Sequence, residues 1–215
     1  MTEAEWLGCT DLQKMLEFVQ GGVSDRKLRL FAVACCRQIW HLLTDERSRQ
    51  AVAVAERFAE GAASKSECQL AYTPAITVAW VPEVEAFDCH TYAAASAADI
   101  PLNVSDIAEL VQQSGADTSD DILRAKATQA GFLHCIFGNP FHPTAISPAC
   151  LARNYGTVRK IAQTIYEERA FDRMPILADA LEDAGCTDRA ILDHCRQPGE
   201  HVRGCWVVDL LLGKE

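Results

Sequence analysis

Amphipathic helical spacing runs along nearly the whole chain, and it limits the fold class more than any other feature. Within residues 24–43, apolar side chains recur at every third or fourth position, as one face of a helix requires. That stripe consists of Leu28, Phe31, Cys35, Ile39 and Leu42. No segment alternates convincingly between apolar and polar residues at the period of two that a half-buried strand needs. The sequence therefore predicts an all-α protein, an irregular multi-helix bundle of about ten helices.

Polar capping residues, glycines and prolines mark the predicted helix boundaries. Thr2 with Glu5, and Thr10 with Gln13, fit capping boxes that open two short helices. Ser24 is a suitable N-cap for the helix over 24–43, and Thr44 and Thr187 are suitable N-caps further along. The remaining predicted helices span 44–61, 64–80 with an interruption at Pro74, 82–99, 105–113, 119–137, a short segment from 147, 157–169, 174–184, 187–196 and 201–212.

The length of 215 residues allows one large domain or two small ones. We predict a single all-helical domain over 1–215, with a possible variable subdomain at 62–130. A proline-rich crossover at 138–148, reading GNPFHPTAISP, is the strongest internal boundary. Its Phe141 and His142 would either form a rigid recognition element or, as we favour, belong to an ordered connection clamped by buried aromatic rings.

Charge and composition exclude several classes of function. The chain has 30 acidic and 20 basic residues, and the net charge of -10 repels phosphate backbones and anionic lipid. We therefore expect neither nucleic acid nor a membrane as a partner. The first residues, MTEAEWLGCTD, lack the features of a signal peptide, so we expect a cytoplasmic protein. In that reducing compartment most of the ten cysteines are expected to be buried thiols.

The C-terminal stretch concentrates residues that bind metals or act as nucleophiles: Cys186, His194, Cys195, His201 and Cys205. If a helix covers 201–212, His201 and Cys205 share one of its faces. A helix that ends at Arg196 would present His194 or Cys195 from across the turn at Pro198. Cys186 lies nine residues before Cys195, about 13 Å along a helix axis, too far to join the same site.

The candidate metal site therefore consists of His194, Cys195, His201 and Cys205, with any missing ligand supplied from elsewhere, and Zn²⁺ is the ion that such ligands favour. The spacing does not match a recognised zinc finger. The alternative is that Cys205 is simply packed in the core beside Trp206. Cys36 or His41 would add to this site if the two ends of the chain lie together, although Cys35 and Cys36 fit a packed helix better.

A thiol enzyme is a further alternative, because Cys205, His201 and Asp209 follow one another at steps of four residues. Neighbouring side chains on one helix do not converge on an open cleft, so we assign no catalytic residue and favour a protein that is not an enzyme. We also assign no residue to an organic cofactor, which leaves zinc as the one cofactor considered.

Several segments carry a resemblance to a known family. They read EAEWLGCTDLQKMLEFV, SDRKLRLFAVACCRQIWHLL, CIFGNPFHP, IYEERAFDRMPILADALEDAGC and HCRQPGEHVRGCWVVDLLLGK. In these segments, which cover 1–61 and 131–215, the chain resembles an uncharacterised family of bacterial paralogues abundant in planctomycetes. That family has no activity to transfer. The resemblance implies a recurring module, which favours an interaction role over a metabolic enzyme.

The first prediction for function is therefore a non-catalytic helical module that binds another protein or serves as a scaffold. The second is a zinc-binding helical protein with a C-terminal Cys/His site. The third is a thiol enzyme or a redox-responsive protein.

Overall fold

A computed structural model describes residues 1–81, 86–116 and 118–214 of the chain. Twelve α-helices lie in these residues and confirm the predicted all-α fold. They are α1 Glu3–Gly8, α2 Leu12–Val19, α3 Asp25–Gln38, α4 Glu46–Ala59, α5 Lys65–Ala79, α6 Cys89–Ser96, α7 Val104–Gln113, α8 Ser119–Phe137, α9 Pro148–Glu168, α10 Met174–Asp183, α11 Arg189–Arg196 and α12 Trp206–Leu212. A short 3-10 helix, Phe171–Arg173, precedes α10. Two strands of two residues each, β1 Trp80–Val81 and β2 Ala86–Phe87, form an antiparallel pair.

The helices divide into two compact units. The first unit consists of Met1–Gly8 together with Gly131–Glu215, and the second consists of Cys9–Ala130. The predicted subdomain at 62–130 ends at the same boundary as the second unit, which begins much earlier in the chain. That the 215 residues form a single domain stays a prediction.

In the second unit, α3 packs on α4 and α7, and α5 packs on α4 and α6. Buried Arg29 on α3 donates to the carbonyl oxygens of Ala97, at 2.6 Å, and Asp99, at 3.1 Å. Both carbonyls lie just after the C-terminal end of α6, where backbone carbonyls lack partners within the helix. The buried guanidinium of Arg29 supplies the missing hydrogen bonds.

In the first unit, α9 packs on α10 and α12, and α10 packs on α11. Large apolar side chains from these helices form one continuous buried cluster, which includes Ile165, Met174, Leu177, Val207 and Val208. Five cysteines of the C-terminal half, at positions 135, 150, 186, 195 and 205, belong to the same cluster. The core of this unit therefore surrounds the segments that carry the candidate ligands.

Three predicted N-caps are wrong in the same way. Thr10, Thr44 and Thr187 are each followed by an aspartate, and in each case that aspartate is the cap: Asp11, Asp45 and Asp188. Aspartate ranks above threonine at this position because its carboxylate accepts backbone hydrogen bonds more strongly and favours the positive end of the helix dipole. The capping box of Thr2 and Glu5 and the Ser24 cap are confirmed.

Several predicted boundaries also need correction. The helix from Ser24 ends at Gln38 and does not reach Leu43. No interruption occurs at Pro74, which lies inside α5. The carbonyl that loses its donor there belongs to Leu70, a residue that is 75% exposed. The predicted helix over 82–99 begins in residues 82–85, which lie outside the described residues, and α6 within it is capped by Asp88.

In the C-terminal half, the two helices predicted from 147 and over 157–169 form one helix, α9. Its Tyr155 and Gly156 have left-handed backbone angles, φ 58° and 72°, close to the predicted break. The last helix is shorter than predicted, since α12 begins only at Trp206. None of the helices in the described part of the chain combines the length and apolar composition needed to cross a membrane.

Candidate metal centre

Four side chains of the first unit converge on one point: Cys135, His194, His201 and Cys205. Cys135 lies in the last turn of α8, and His194 lies near the end of α11. His201 and Cys205 come from the loop between α11 and α12, with Cys205 as the residue directly before α12. Gly204, at φ 92°, gives this loop a left-handed turn that only glycine adopts easily.

The spacing of the ligand atoms matches a tetrahedral zinc site. One nitrogen or sulfur atom from each residue lies within 4.8 Å of all the others. Ideal Zn–S and Zn–N bonds of about 2.3 and 2.0–2.1 Å place neighbouring S and N ligands about 3.6 Å apart. Three S–N pairs agree with that value: His194 Nε2 to Cys205 Sγ at 3.3 Å, and His201 Nδ1 to the Sγ atoms of Cys135 and Cys205 at 3.7 and 3.9 Å.

The two imidazole rings are held at nearly right angles, 83° between their planes and 4.8 Å between their centres. His194 turns Nε2 into the site, and its Nδ1 lies 3.1 Å from the side-chain amide nitrogen, Nε2, of Gln197, three residues later. His201 turns Nδ1 into the site, while its Nε2 is buried and has no hydrogen-bond partner among the described residues. Among the described residues, a neighbour outside the group of four, Gln197, therefore helps to orient the His194 ring, whereas none does so for His201.

Burial and charge also suit a bound cation. Cys135, His194 and Cys205 are buried, and His201 is half-buried. A cation in such surroundings is unfavourable unless opposite charge accompanies it. Two thiolates, from Cys135 and Cys205, would neutralise one divalent ion completely.

Hydrogen bonds lower the pKa of the Cys205 thiol. Burial by itself raises the pKa of this thiol, but hydrogen bonds from Cys135, His194 and His201 outweigh burial and bring the pKa well below its usual value. The neighbouring thiol of Cys195 behaves in the opposite way, because burial and then the proximity of Cys205 and Cys186 raise its pKa. Cys205 is therefore disposed to ionise, whereas Cys195 remains a protonated core side chain.

Three of the predicted ligands, His194, His201 and Cys205, lie in this group. Cys195 lies outside it, and Cys135 is the fourth member. Successive residues on a helix point about 100° apart, so α11 cannot turn both His194 and Cys195 toward one ion. His201 and Cys205 meet through a loop, not on a shared helix face as predicted.

Cys135 escaped the sequence analysis because 58 positions separate it from His194. The only local signal was the pair His134–Cys135, which resembles the pair His194–Cys195; each pair ends up supplying one ligand. Cys186 is buried and also lies outside the group, but not for the predicted reason, because it precedes α11 instead of lying on that helix and is close to Cys195. Cys36, considered as an additional ligand, instead donates from its Sγ to the Ala93 carbonyl at 3.5 Å.

Aromatic side chains form a layer behind the ligands. The Trp206 ring lies 5.2 Å from that of His194, and it also covers the backbone of Gly138, the residue after α8. A Cβ atom on Gly138 would come within 3.0 Å of the Trp206 ring. On its other side, Gly138 accepts a hydrogen bond from the Trp6 indole at 2.9 Å.

The proline-rich segment 138–148 is also tied to α1. Asn139 donates to Glu3 at 2.7 Å, and His142 lies 3.1 Å from the second oxygen of the same carboxylate. Phe141 is half-buried, and its backbone N–H donates to the side chain of Asn139. These contacts tie the segment to α1, as an ordered connection requires, but Phe141 and Phe137 are only half-buried, so the predicted clamp of buried aromatic rings is not found.

Comparisons with protein-family models, with curated proteins and with solved structures gave no match. The chemistry of the four side chains therefore carries the functional conclusions.

Proposed function

We propose that this protein is a zinc-binding helical protein, in which one Zn²⁺ held by Cys135, His194, His201 and Cys205 stabilises the fold of the first unit. The observation that carries the proposal is the convergence of two cysteine and two histidine ligand atoms within 4.8 Å of one another. A set of two sulfur and two nitrogen donors in tetrahedral spacing is typical of structural zinc.

The proposed role is structural rather than catalytic. A catalytic zinc keeps one coordination position open for water or substrate, whereas four protein ligands would fill the coordination sphere. The thiol-enzyme alternative needs a cysteine that a substrate reaches, and Cys205 has 0% exposure. Both points support a non-catalytic protein.

The ion would join parts of the first unit that are distant in sequence. Cys135 belongs to the end of α8, while the other three ligands come from α11 and the loop that follows it. Structural zinc contributes about 10–16 kcal/mol of apparent binding free energy in small zinc domains, and that energy becomes folding energy when the site forms only in the folded chain. Holding Cys135 next to His194, with 58 residues between them in the chain, would therefore depend in part on the metal.

The interaction or scaffold role predicted from the sequence is compatible with this proposal. A zinc-stabilised helical unit would supply the rigid framework of a recurring module, which is what the family resemblance implies. The identity of a protein partner stays a prediction.

Metal analysis of the purified protein tests the proposal directly. We expect about one equivalent of zinc per chain after purification without chelators, and one equivalent of Co²⁺ after exchange, with the absorption spectrum of a tetrahedral S₂N₂ site. The variant Cys135→Ser should lose the metal. Cys195→Ala is the matched control, since it removes a buried cysteine next to His194 that is not a ligand, and it should keep the metal.

Less than a tenth of an equivalent of zinc, with no change in melting temperature after chelation, would refute the proposal. Retention of the metal by Cys135→Ser together with its loss in Cys195→Ala would show that the ligand set is wrong.

A further inference from the structure

The short N-terminal helix α1 depends on its docking partners for stability. It has six residues, well below the ~12–15 that an isolated helix needs in water. Its central side chain, Trp6, is completely buried within the first unit. A segment this short stays helical only while the surface that receives Trp6 stays in place.

That surface is built from residues adjacent to the candidate metal ligands. His134, the neighbour of Cys135, approaches the Trp6 carbonyl with its Nε2 at 3.0 Å, and the two rings are 5.4 Å apart in an edge-to-face contact. Gly138, three residues after Cys135, accepts the Trp6 indole N–H at 2.9 Å. The first contact involves the last turn of α8 and the second involves the residue directly after it, and a metal bound to Cys135 would fix the position of both.

Contacts of Trp206 connect the surface that receives Trp6 to two other candidate ligands, Cys205 and His194. Trp206 follows Cys205 directly in the chain, and its ring packs against His194 on one side and the Gly138 backbone on another. The contact at Gly138 is tight enough to leave no room for a Cβ atom. Movement of Cys205 or His194 therefore displaces the ring that supports Gly138, and with it the carbonyl that Trp6 binds.

We infer that docking of α1 is coupled to occupancy of the metal site: zinc favours the docked helix, and loss of zinc releases it. The inference rests on the proposed zinc site and adds a conformational response to it. Coupling between two sites is reciprocal, so contacts that dock α1 must also raise the affinity for zinc, and by the same factor. Coupled sites in proteins usually change each other's affinity by about 5–150-fold.

Hydrogen–deuterium exchange measures the first half of this coupling. We expect removal of zinc to speed amide exchange in a peptide covering Met1–Gly8 by about tenfold or more, with the exchange of a peptide covering α4 unchanged. The α4 peptide belongs to the second unit and reports any general unfolding.

Zinc affinity in α1 variants measures the second half. Trp6→Phe keeps an aromatic ring but removes the indole N–H that donates to Gly138. Glu3→Ala removes the carboxylate that contacts Asn139 and His142 near the surface of the protein. Each should weaken zinc binding by about fivefold or more in competition with a chromophoric chelator. Leu7→Ala is the matched control, because Leu7 is on the same helix and is 59% exposed; its zinc affinity should equal that of the wild type.

The outcomes separate this inference from the proposed function. If one equivalent of zinc binds but its removal leaves exchange in Met1–Gly8 unchanged, the coupling is refuted and the zinc site stands. Equal acceleration in both peptides would mean that zinc acts on the whole chain, which also rejects a specific link to α1. If no zinc binds, the proposed function fails and the coupling falls with it.

Discussion

Substitution of Gly138 by alanine tests the contact between the end of α8 and the layer behind the metal ligands. Gly138 has φ 63°, in the left-handed region, where a residue with a Cβ atom loses about 1–2 kcal/mol. The new Cβ would also lie 3.0, 3.1 and 3.2 Å from three atoms of the Trp206 ring. Overpacking of this kind costs about 1–3 kcal/mol, so Gly138→Ala should destabilise the protein by about 2–5 kcal/mol.

Gly131→Ala is the control, because Gly131 lies inside α8, the helix that ends directly before Gly138, and no atom lies within 4 Å of its added Cβ. Alanine is favoured over glycine inside a helix by about 1 kcal/mol, so this variant should be more stable than the wild type. In a chain of this size, 1 kcal/mol shifts the melting temperature by about 2–4 °C. We therefore expect a fall of roughly 4–20 °C for Gly138→Ala and a rise of about 2–4 °C for Gly131→Ala.

Differential scanning calorimetry of the zinc-loaded variants measures both shifts. The zinc affinity of Gly138→Ala should fall as well, since a displaced Trp206 moves His194. Equal melting temperatures for the two variants, or a Gly138→Ala protein as stable as the wild type, would refute the proposed packing of Gly138 against Trp206.

Two further predictions concern side chains at and away from the site. When His194 binds zinc through Nε2, its Nδ1 carries a proton, and the Gln197 amide turns its oxygen to accept it. Gln197→Ala should weaken zinc binding by about tenfold and Gln197→Glu should strengthen it, and equal affinities in a chelator competition would remove Gln197 from the site. A thiol reagent at neutral pH should first modify the half-buried Cys9 and Cys89. Burial raises the pKa of Cys36 to about 12, so this thiol should react only on unfolding; peptide mass spectrometry that finds it labelled first would contradict the described core.

Local sequence patterns were sufficient to predict most of the helices. They did not identify the correct N-cap residue of α2, α4 and α11. Of the predicted apolar stripe, Phe31 and Cys35 are buried on α3, but every residue of that helix from 29 to 36 is buried, so burial there is not confined to one face. The error at the three Thr-Asp pairs lies in choosing between two adjacent capping residues, and the rank order of caps alone would have favoured aspartate. At Pro74 the general rule failed, because one missing hydrogen bond on an exposed helix is tolerated where packing holds the helix in place.

For the candidate site, the sequence pointed to three of the four side chains that converge in the structure. His194, His201 and Cys205 lie within twelve residues, so their proximity follows from the chain alone. Cys135 joins them only because the end of α8 lies against the loop before α12, and no local pattern encodes a contact across 58 residues. The choice between His194 and Cys195 depends on the rotation of α11 about its axis, which the surrounding core fixes.

The sequence by itself therefore determined an all-α protein whose last thirty residues carry metal-binding side chains, because periodicity, caps and residue chemistry are local properties. The tertiary structure decided which cysteines are core and which face the site, how α1 docks beside Cys135, and where the two units divide. These properties arise from packing between segments that are distant along the chain, and packing is set by the whole fold rather than by neighbouring residues.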